Sequence, residues 1–204
     1  MNRLEFLLNK FNVDTAKEAP YFIKLSRWKE LPYLMAEMGL KKGAEIGTEG
    51  GKYADSLLRK IPDLFLYCVD CWEGYEGYRE NMQNKQASYY LQAIERLKPH
   101  GDRYEMIKAY SMDAVKDFED ESLDFIYIDG NHNFKNVTDD IAEWSKKVKK
   151  GGLIMGHDFT HNNVGYERTD VDFVVRAWTQ AHDIKIWFVT EEGDRCPTWL
   201  WVKE

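Results

Sequence analysis

The amino-acid sequence predicts an α/β fold in which helices cover both faces of a mostly parallel, doubly wound sheet. Apolar segments along the 204 residues alternate between strand-like and helix-like spacing, the pattern of such a sheet. A glycine-rich turn from Gly47 to Gly51 joins the first strand to the next helix. The connection from Glu191 to Pro197 is too short for a crossover helix, so the last two strands are predicted to form an antiparallel hairpin.

Two helices are expected before the sheet, at about residues 3–11 and 28–38, and the second carries a leucine and methionine stripe at helical spacing. Seven strands follow, each a short apolar run, at residues 43–47, 64–70, 104–109, 123–129, 153–158, 184–190 and 198–202. The order predicts a mixed, seven-stranded sheet in a single domain. Residues 1–42 would form a helical cap and residues 43–204 the core.

The helices between these strands follow from periodicity and from their ends. Tyr53, Leu57, Leu58 and Ile61 recur at helical spacing after the glycine turn, which predicts the first of them. Gly151-Gly152 is expected to end the helix that precedes the fifth strand. The other predicted helices cover residues 80–97, 137–148 and 170–181.

Composition narrows the class of protein. Hydrophobic residues make up 44% and charged residues 31% of the chain, a balance typical of a globular domain. The formal net charge is -7 and the basic residues are scattered, so nucleic acid is not expected as a partner. Charges at Arg3, Glu5 and Lys10 argue against a signal peptide, and no stretch is long enough to span a membrane. Three cysteines without a metal-ligand spacing fit a reducing compartment, so a cytoplasmic location is expected.

The glycine turn is the strongest single signal of a ligand. Small residues directly after a strand let the backbone approach a ligand at the following helix N-terminus. Glu49 stands where a dinucleotide-binding turn would have its second glycine, and a carboxylate there would repel a pyrophosphate. Glu45, two residues before Gly47, is suited to a cationic ligand instead.

Acidic residues also end three later strands. Asp70 lies where a doubly wound sheet holds an acid against ribose hydroxyls. Asp129 and Asp158 end neighbouring predicted strands, so their carboxylates could share a hard cation. His132 and His157 flank these acids, and a histidine there could take a proton from a hydroxyl.

The order of these motifs resembles the class I S-adenosylmethionine-dependent methyltransferases, whose fold is Rossmann-like, from about residue 43 to the C-terminus. Residues 128–132 and 151–158 are similar to the branch that includes cephalosporin-hydroxylase-like and macrolide-sugar methyltransferases. The resemblance implies a cofactor site formed by Glu45, Gly47, Thr48, Gly51, Asp70, Cys71, Ser111, Met112 and Asp129.

The resemblance also implies that Asp129 and Asp158 face the methyl acceptor, where catechol methyltransferases hold magnesium. Those enzymes have an asparagine ligand where this chain has Phe159, so magnesium use stays open. The predicted function is methyl transfer to a hydroxyl of a small molecule, with His157 or His132 as base and Asp158 in support. Aromatic loops at residues 71–78 and 160–166 are expected to reach over the acceptor.

Other readings stay open at this point. The same sheet can hold decarboxylated adenosylmethionine for aminopropyl transfer, or NAD for hydride transfer. A non-catalytic nucleoside-binding module is a third hypothesis. The N-terminal helices and the aromatic tail also leave a homo-oligomer open.

Overall fold

The computed structural model describes residues 2–74, 85–161, 169–191 and 196–204. The strands in these ranges are β1 (Tyr21–Ile23), β2 (Lys42–Ile46), β3 (Phe65–Asp70), β4 (Tyr104–Lys108), β5 (Leu123–Ile128), β6 (Val148–Gly156), β7 (Phe188–Thr190) and β8 (Trp199–Val202). They form one sheet in the order β1-β7-β8-β6-β5-β2-β3-β4. The α/β class and the doubly wound sheet are therefore confirmed.

The α-helices in the described ranges are α1 (Arg3–Lys10), α2 (Leu31–Glu37), α3 (Lys52–Lys60), α4 (Gln86–Leu97), α5 (Ser111–Ala114), α6 (Phe134–Lys147) and α7 (Val171–Ala181). Short 3-10 turns follow α4 at Lys98–Arg103 and α5 at Val115–Asp117. The first part of the helix predicted at residues 80–97 lies outside the described residues. No helix in the described ranges is both long enough and apolar enough to cross a lipid bilayer.

The last strand alone runs against the direction of the others. β8 pairs antiparallel with both β6 and β7, while the other strand pairs are parallel. The predicted antiparallel pairing of the last two strands is confirmed. β8 lies between β6 and β7 because an antiparallel strand can enter an otherwise parallel sheet without a crossover helix.

The predicted count of seven strands is wrong by one, because β1 adds an eighth strand at the sheet edge. Tyr21 to Ile23 pair in parallel with Phe188 to Thr190 of β7. The sequence predicted a purely helical segment for residues 1–42, but this segment also contains β1. A strand of three residues shows no alternation long enough to be recognised, and its hydrogen bonds come from a partner far along the chain.

Several boundaries also differ from the prediction: β7, for example, begins at Phe188 rather than at residue 184. β6 begins at Val148, so Gly151 and Gly152 lie inside the strand rather than before it. A Cβ added to Gly152 would lie 2.6 Å from the Asp124 carbonyl oxygen. This close approach explains why a glycine occupies a position inside the strand. The short helix α5 was not predicted, because four residues are too few to show helical periodicity.

Hydrophobic layers cover both faces of the sheet. Along β5, Phe125 and Tyr127 pack into the layer beneath α2 and α3, and Ile126 and Ile128 pack into the layer beneath α6 and α7. Successive residues of a strand point to opposite faces, so an apolar run such as β5 must be covered twice.

The sheet register gathers the predicted site at one edge. Val69, Ile46, Ile128 and Gly156 form one row across β3, β2, β5 and β6. Parallel strands end together, so the residues after this row meet at the carboxyl edge of the sheet. These residues are Asp70, Gly47, Asp129 and His157.

Candidate active site

The glycine turn passes directly over the end of β5. Gly47 has a φ of +96°, and a Cβ on it would lie 2.2 Å from the carbonyl oxygen of Asp129. Its amide donates a hydrogen bond to the Val69 carbonyl at 2.8 Å. Only glycine combines this backbone conformation with this close approach. The turn is thus held between β3 and β5, and it places the front of α3 beside Asp129.

The end of the turn is packed against α4. Gly51 caps α3 with a φ of +72°, and a Cβ there would lie 3.3 Å from the Cα of Ala93. The Arg96 guanidinium donates a hydrogen bond to the Gly50 carbonyl. The backbone amides at the start of α3 are thereby fixed, which is the arrangement that binds ligands at helix N-termini.

Glu45 lies fully inside the protein at the end of β2. Burial, with a smaller contribution from the Asp129 charge, raises the pKa of this carboxyl to about 8, while the Arg27 charge opposes the shift. Its Oε2 has no hydrogen-bond partner among the described residues, and the same holds for the Thr48 hydroxyl. Buried polar atoms without a partner are rare in folded proteins, so both atoms are candidates to contact a ligand.

Asp70 joins two loops at the end of β3. Its Oδ2 accepts a hydrogen bond from the Glu49 amide and its Oδ1 accepts one from the Trp72 amide, both at 2.8 Å. The Trp72 indole donates to the Glu49 carbonyl, also at 2.8 Å. Burial raises the pKa of Asp70 in spite of these bonds. Each carboxylate oxygen keeps a lone pair for a ligand hydroxyl. Cys71 lies between Asp70 and Trp72 in the chain, and its thiol donates to the Glu73 carbonyl at 3.5 Å.

Ser111 and Met112, two of the predicted cofactor residues, make contacts within the protein. The Ser111 hydroxyl donates to the Asp140 carboxylate and accepts from the Trp144 indole, the latter at 2.8 Å. This hydroxyl is therefore bonded within the protein. Met112, next to it, packs partly buried against the core. Ser111 thus fixes α5 against α6; its hydroxyl proton is already used within the protein, and one lone pair remains for a ligand donor.

Two acids and two histidines converge where β5 and β6 end. His132 Nε2 lies 3.0 Å from an oxygen of Asp158 and 3.7 Å from one of Asp129. His157 Nδ1 lies 3.4 Å from Asp158 and 3.6 Å from Asp129. Asp158 adopts a φ of +52°, an uncommon backbone conformation for a residue with a side chain. The structure therefore brings together all four residues predicted for catalysis or metal binding.

The charges in this cluster are strongly coupled. Burial alone would raise the pKa of Asp129, but His132, His157 and Arg27 hold it far below its usual value. Burial alone would lower the pKa of His157, but the Asp129 and Asp158 carboxylates raise it to about 9. The same carboxylates raise the pKa of His132. The cluster thus keeps its acids ionised and holds its imidazoles as hydrogen-bond partners for them.

Arg27 also belongs to this cluster, although nothing in the sequence analysis pointed to it. One of its terminal nitrogens donates to Asp129 Oδ2 at 2.7 Å, and its side chain is almost fully buried. The guanidinium carbon lies 4.3 Å from the centre of the Tyr53 ring. It lies 5.0 Å from the Trp28 ring and 5.2 Å from the Tyr127 ring. The only local signal is a basic residue beside a tryptophan, which is too common to indicate a site.

Magnesium fits the donor atoms of this cluster poorly. One ligand atom each from Asp129, His132 and Asp158 lies within 4.8 Å of the others. However, magnesium prefers an octahedral set of oxygens, and one of these three atoms is an imidazole nitrogen. Phe159 follows Asp158 and offers no oxygen. The second oxygen of Asp129 is already bound to the Arg27 cation. No catalytic step is therefore assigned to magnesium below.

Comparison with known proteins agrees with this geometry. Residues 44–159 match a family model described as a methyltransferase domain, and this match covers more than half of the chain. The chain belongs to this methyltransferase family. The matched region contains the glycine turn, Asp70 and the four residues of the acid and histidine cluster. Arg27 lies outside it.

Two relatives of the methyltransferase are partial matches. A protein of Sinorhizobium fredii is 27% identical over 62% of this chain, and the match covers 14% of that protein. A protein of Acanthamoeba polyphaga mimivirus is 31% identical over 56% of this chain and 50% of that protein. The methyltransferase thus matches at most half the length of these two relatives.

Solved structures share the fold of the methyltransferase. An O-methyltransferase from Bacillus cereus, solved with SAH, has a TM-score of 0.62 and 19% identity over the whole of this chain and 91% of that one. TomG from Streptomyces achromogenes, an O-methyltransferase solved with SAM, has a TM-score of 0.62, 18% identity and the same coverage. These likenesses show that the sheet order and helix arrangement of the methyltransferase are those of an established Rossmann-like class.

The two aromatic loops predicted over the acceptor lie partly outside the described residues. Residues 75–84 and 162–168 are outside the described ranges. Within the described portions, Trp72 is buried and its ring packs 4.9 Å from that of Tyr90. Phe159 packs on Trp187 at 5.7 Å. The Trp72 and Phe159 side chains are therefore buried in the protein interior.

Proposed function

We propose that this protein transfers a methyl group from S-adenosylmethionine to an oxygen of a small hydroxyl-bearing acceptor. One observation carries the proposal. The group formed by the glycine turn, Glu45 and Asp70 adjoins the cluster of Asp129, His132, His157 and Asp158, because Gly47 is packed against the Asp129 backbone. A donor held by the first group would meet an acceptor held by the second. The Bacillus cereus and Streptomyces achromogenes proteins, solved with SAH and SAM, support the choice of cofactor.

The cofactor roles follow from the atoms that remain available. The buried Glu45 carboxylate is suited to the cationic amino group of the methionine part of the cofactor. Asp70 would accept hydrogen bonds from the ribose hydroxyls with its remaining lone pairs. The narrow turn at Gly47 and Gly51 lets the ligand approach the backbone amides of α3. Thr48 adds a buried hydroxyl on the same side.

Methyl transfer is a displacement at carbon that needs positioning and one base. The bond from the methyl carbon to sulfur breaks as the bond to the acceptor oxygen forms. Sulfur keeps the electron pair and becomes a neutral thioether, and the proton of the hydroxyl passes to a histidine. Holding the two reactants in line supplies much of the rate. General-base catalysis adds a factor of about 10² to 10⁴.

Of the two histidines, His132 is the better candidate for the base. Its side chain is 30% exposed, while that of His157 is 11% exposed. With Nε2 facing the Asp158 and Asp129 carboxylates, Nδ1 is the ring nitrogen that would take the proton. Asp158 would orient the ring and stabilise its charged form, as acids paired with histidines do. His157 would then be a positioning residue for the two acids.

Binding and turnover test this proposal separately. Calorimetric titration with S-adenosylmethionine should show micromolar binding, and titration with NAD should show none. Radiolabelled methyl transfer to a panel of catechols, sugars and hydroxy acids should find at least one acceptor. Replacement of Asp158 by Asn should then reduce kcat by at least about 100-fold and change cofactor affinity by less than threefold.

A matched control is Asp113→Asn, which removes an exposed carboxylate that pairs with Lys116 on the surface and should leave both measurements unchanged. Tight binding of NAD, or full turnover of the Asp158→Asn variant, would contradict the proposal. Binding without transfer to any acceptor would favour a nucleoside-binding module.

A further inference from the structure

Arg27 brings a permanent positive charge into the acid and histidine cluster from a distant part of the chain. It lies between β1 and α2, in the N-terminal segment that precedes the region matched by the methyltransferase family. Its contact with Asp129 Oδ2, at 2.7 Å, is shorter than any contact that the two histidines make with Asp129. The closest charged neighbour of Asp129 is thus a guanidinium.

The surroundings of Arg27 hold it in this one place. The rings of Trp28, Tyr53 and Tyr127 surround the guanidinium at 4.3 to 5.2 Å. Aromatic faces attract cations, and a guanidinium is weakly hydrated, so burial among rings costs less for arginine than for lysine. Tyr53 and Tyr127 are themselves fixed, since their rings pack 4.5 Å apart in the core. The positive charge is therefore built into the fold.

A divalent cation at the same cluster would meet this charge. The three atoms that could bind one cation belong to Asp129, His132 and Asp158. Asp129 contributes the oxygen that Arg27 does not hold, so a bound ion would lie within a few ångströms of the guanidinium. A divalent ion and the guanidinium, about 5 Å apart, repel each other enough, at an effective dielectric constant of about 20, to weaken metal binding on the order of 10⁴- to 10⁵-fold.

We propose that Arg27 is the built-in counter-cation of Asp129 and supplies the positive charge that a divalent metal ion would otherwise supply beside that acid. The inference rests on the proposed function for the purpose of the site. Its test uses neither cofactor nor acceptor. A protein that transferred no methyl group would leave the test valid, so the two ideas can fail independently.

The experiment is a titration of the protein with Mn²⁺ alone. Binding is measured by calorimetry and by the loss of the electron paramagnetic resonance signal of free Mn²⁺. The wild-type protein should bind Mn²⁺ at this cluster no more tightly than about 1 mM. The Arg27→Met variant should bind it at least about 100-fold more tightly, because the repelling charge is gone. Arg27→Lys, which keeps the charge, should bind Mn²⁺ as weakly as the wild type.

Two further variants locate the bound ion. In the double variant Arg27→Met with Asp158→Asn, the gained affinity should be lost, because a proposed ligand is removed. Arg176→Met is the matched control: Arg176 also packs on two aromatic rings, at 5.2 and 5.9 Å, but these belong to Phe159 and Trp187. That control should leave Mn²⁺ affinity unchanged.

Either of two results would overturn the proposal. The first is micromolar Mn²⁺ binding to the wild type that Asp158→Asn abolishes. The second is a folded Arg27→Met variant, as judged by circular dichroism, whose Mn²⁺ affinity has not risen. If Arg27→Met does not fold, the wild-type titration decides: weak binding supports the proposal and binding dependent on Asp158 refutes it.

Discussion

Arg27 donates a hydrogen bond to Asp129 across 102 residues of sequence, and both side chains lie away from water at the end of β5. The bond ties the N-terminal segment to the carboxyl edge of the sheet, where the glycine turn also contacts Asp129. Asp129 is therefore held from three directions: by Arg27, by the two histidines and by the packing of Gly47. Its ionised form is the one that these neighbours stabilise.

Removal of Arg27 should lower the stability of the fold. Arg27→Met leaves the Asp129 charge buried with fewer partners, and breaking such a pair costs about 3 to 5 kcal/mol. Urea unfolding followed by tryptophan fluorescence should show a loss of this size at neutral pH. The half-exposed Arg176, replaced by Met, should show a clearly smaller loss. Equal losses in the two variants would mean that Arg27 acts only through its ring contacts.

Gly47 should tolerate no side chain. An alanine there would combine a φ of +96° with a Cβ 2.2 Å from the Asp129 carbonyl oxygen, so Gly47→Ala should cost at least about 2 kcal/mol and abolish cofactor binding. Gly39→Ala is the control, since Gly39 has a φ of +70° with no described atom within 4 Å of an added Cβ. It should cost about 1 kcal/mol and leave cofactor binding intact. Normal affinity in Gly47→Ala would remove the turn from the cofactor site.

Glu45 should release a proton when S-adenosylmethionine binds. Its pKa is raised to about 8, so the carboxyl is mostly protonated at pH 7, and a bound cationic amino group favours the ionised form. Calorimetry at pH 7 in buffers of different ionisation enthalpy should show release of roughly 0.5 to 0.9 proton. The release should fall towards zero by pH 9, where Glu45 is already ionised.

The Glu45→Gln variant should release no proton and bind the cofactor more weakly. Equal release in this variant and in the wild type would assign the proton to another group. Asp70 also has a pKa raised by burial, and it is the group to test next in that case.

Asp140 should make the protein less stable as the pH rises. Burial raises its pKa to about 7, with a smaller contribution from Asp139, while the Ser111 hydroxyl opposes the shift. The folded state thus binds a proton that the unfolded state has lost above about pH 4, so stability falls between about pH 4 and pH 7. At about 1.4 kcal/mol for each unit, the loss approaches about 4 kcal/mol by pH 8.

Asp140→Asn keeps an oxygen that can accept from Ser111 and removes the charge. Its urea midpoint should be higher than that of the wild type at pH 8 and similar at pH 4.5. Asp139→Asn, which removes only the smaller contribution to the Asp140 pKa, should keep most of the wild-type pH dependence. A steep pH dependence that survives in Asp140→Asn would show that another buried acid, such as Glu45, is responsible.

The strands, most helices and the cluster of acids and histidines could be predicted because each leaves a local trace in the sequence. A strand buried on both faces is an apolar run, and the residue after it points to the edge of the sheet where ligands bind. Parallel strands end together, so Asp70, Asp129 and Asp158 could be placed at one edge from strand order alone. The distances of 3.0 to 3.7 Å among the cluster residues required the structure.

Other features have no local trace, and only the tertiary structure decided them. β1 is too short to show alternation, and its partner β7 lies far along the chain. The Ser111 hydroxyl looked available to a ligand until Asp140 and Trp144 were found to bind it. Arg27 was not singled out in the sequence, and its partner Asp129 lies 102 residues away. In each case the deciding contact joins distant segments, and its free energy depends on burial and on a partner that exist only once the chain has folded.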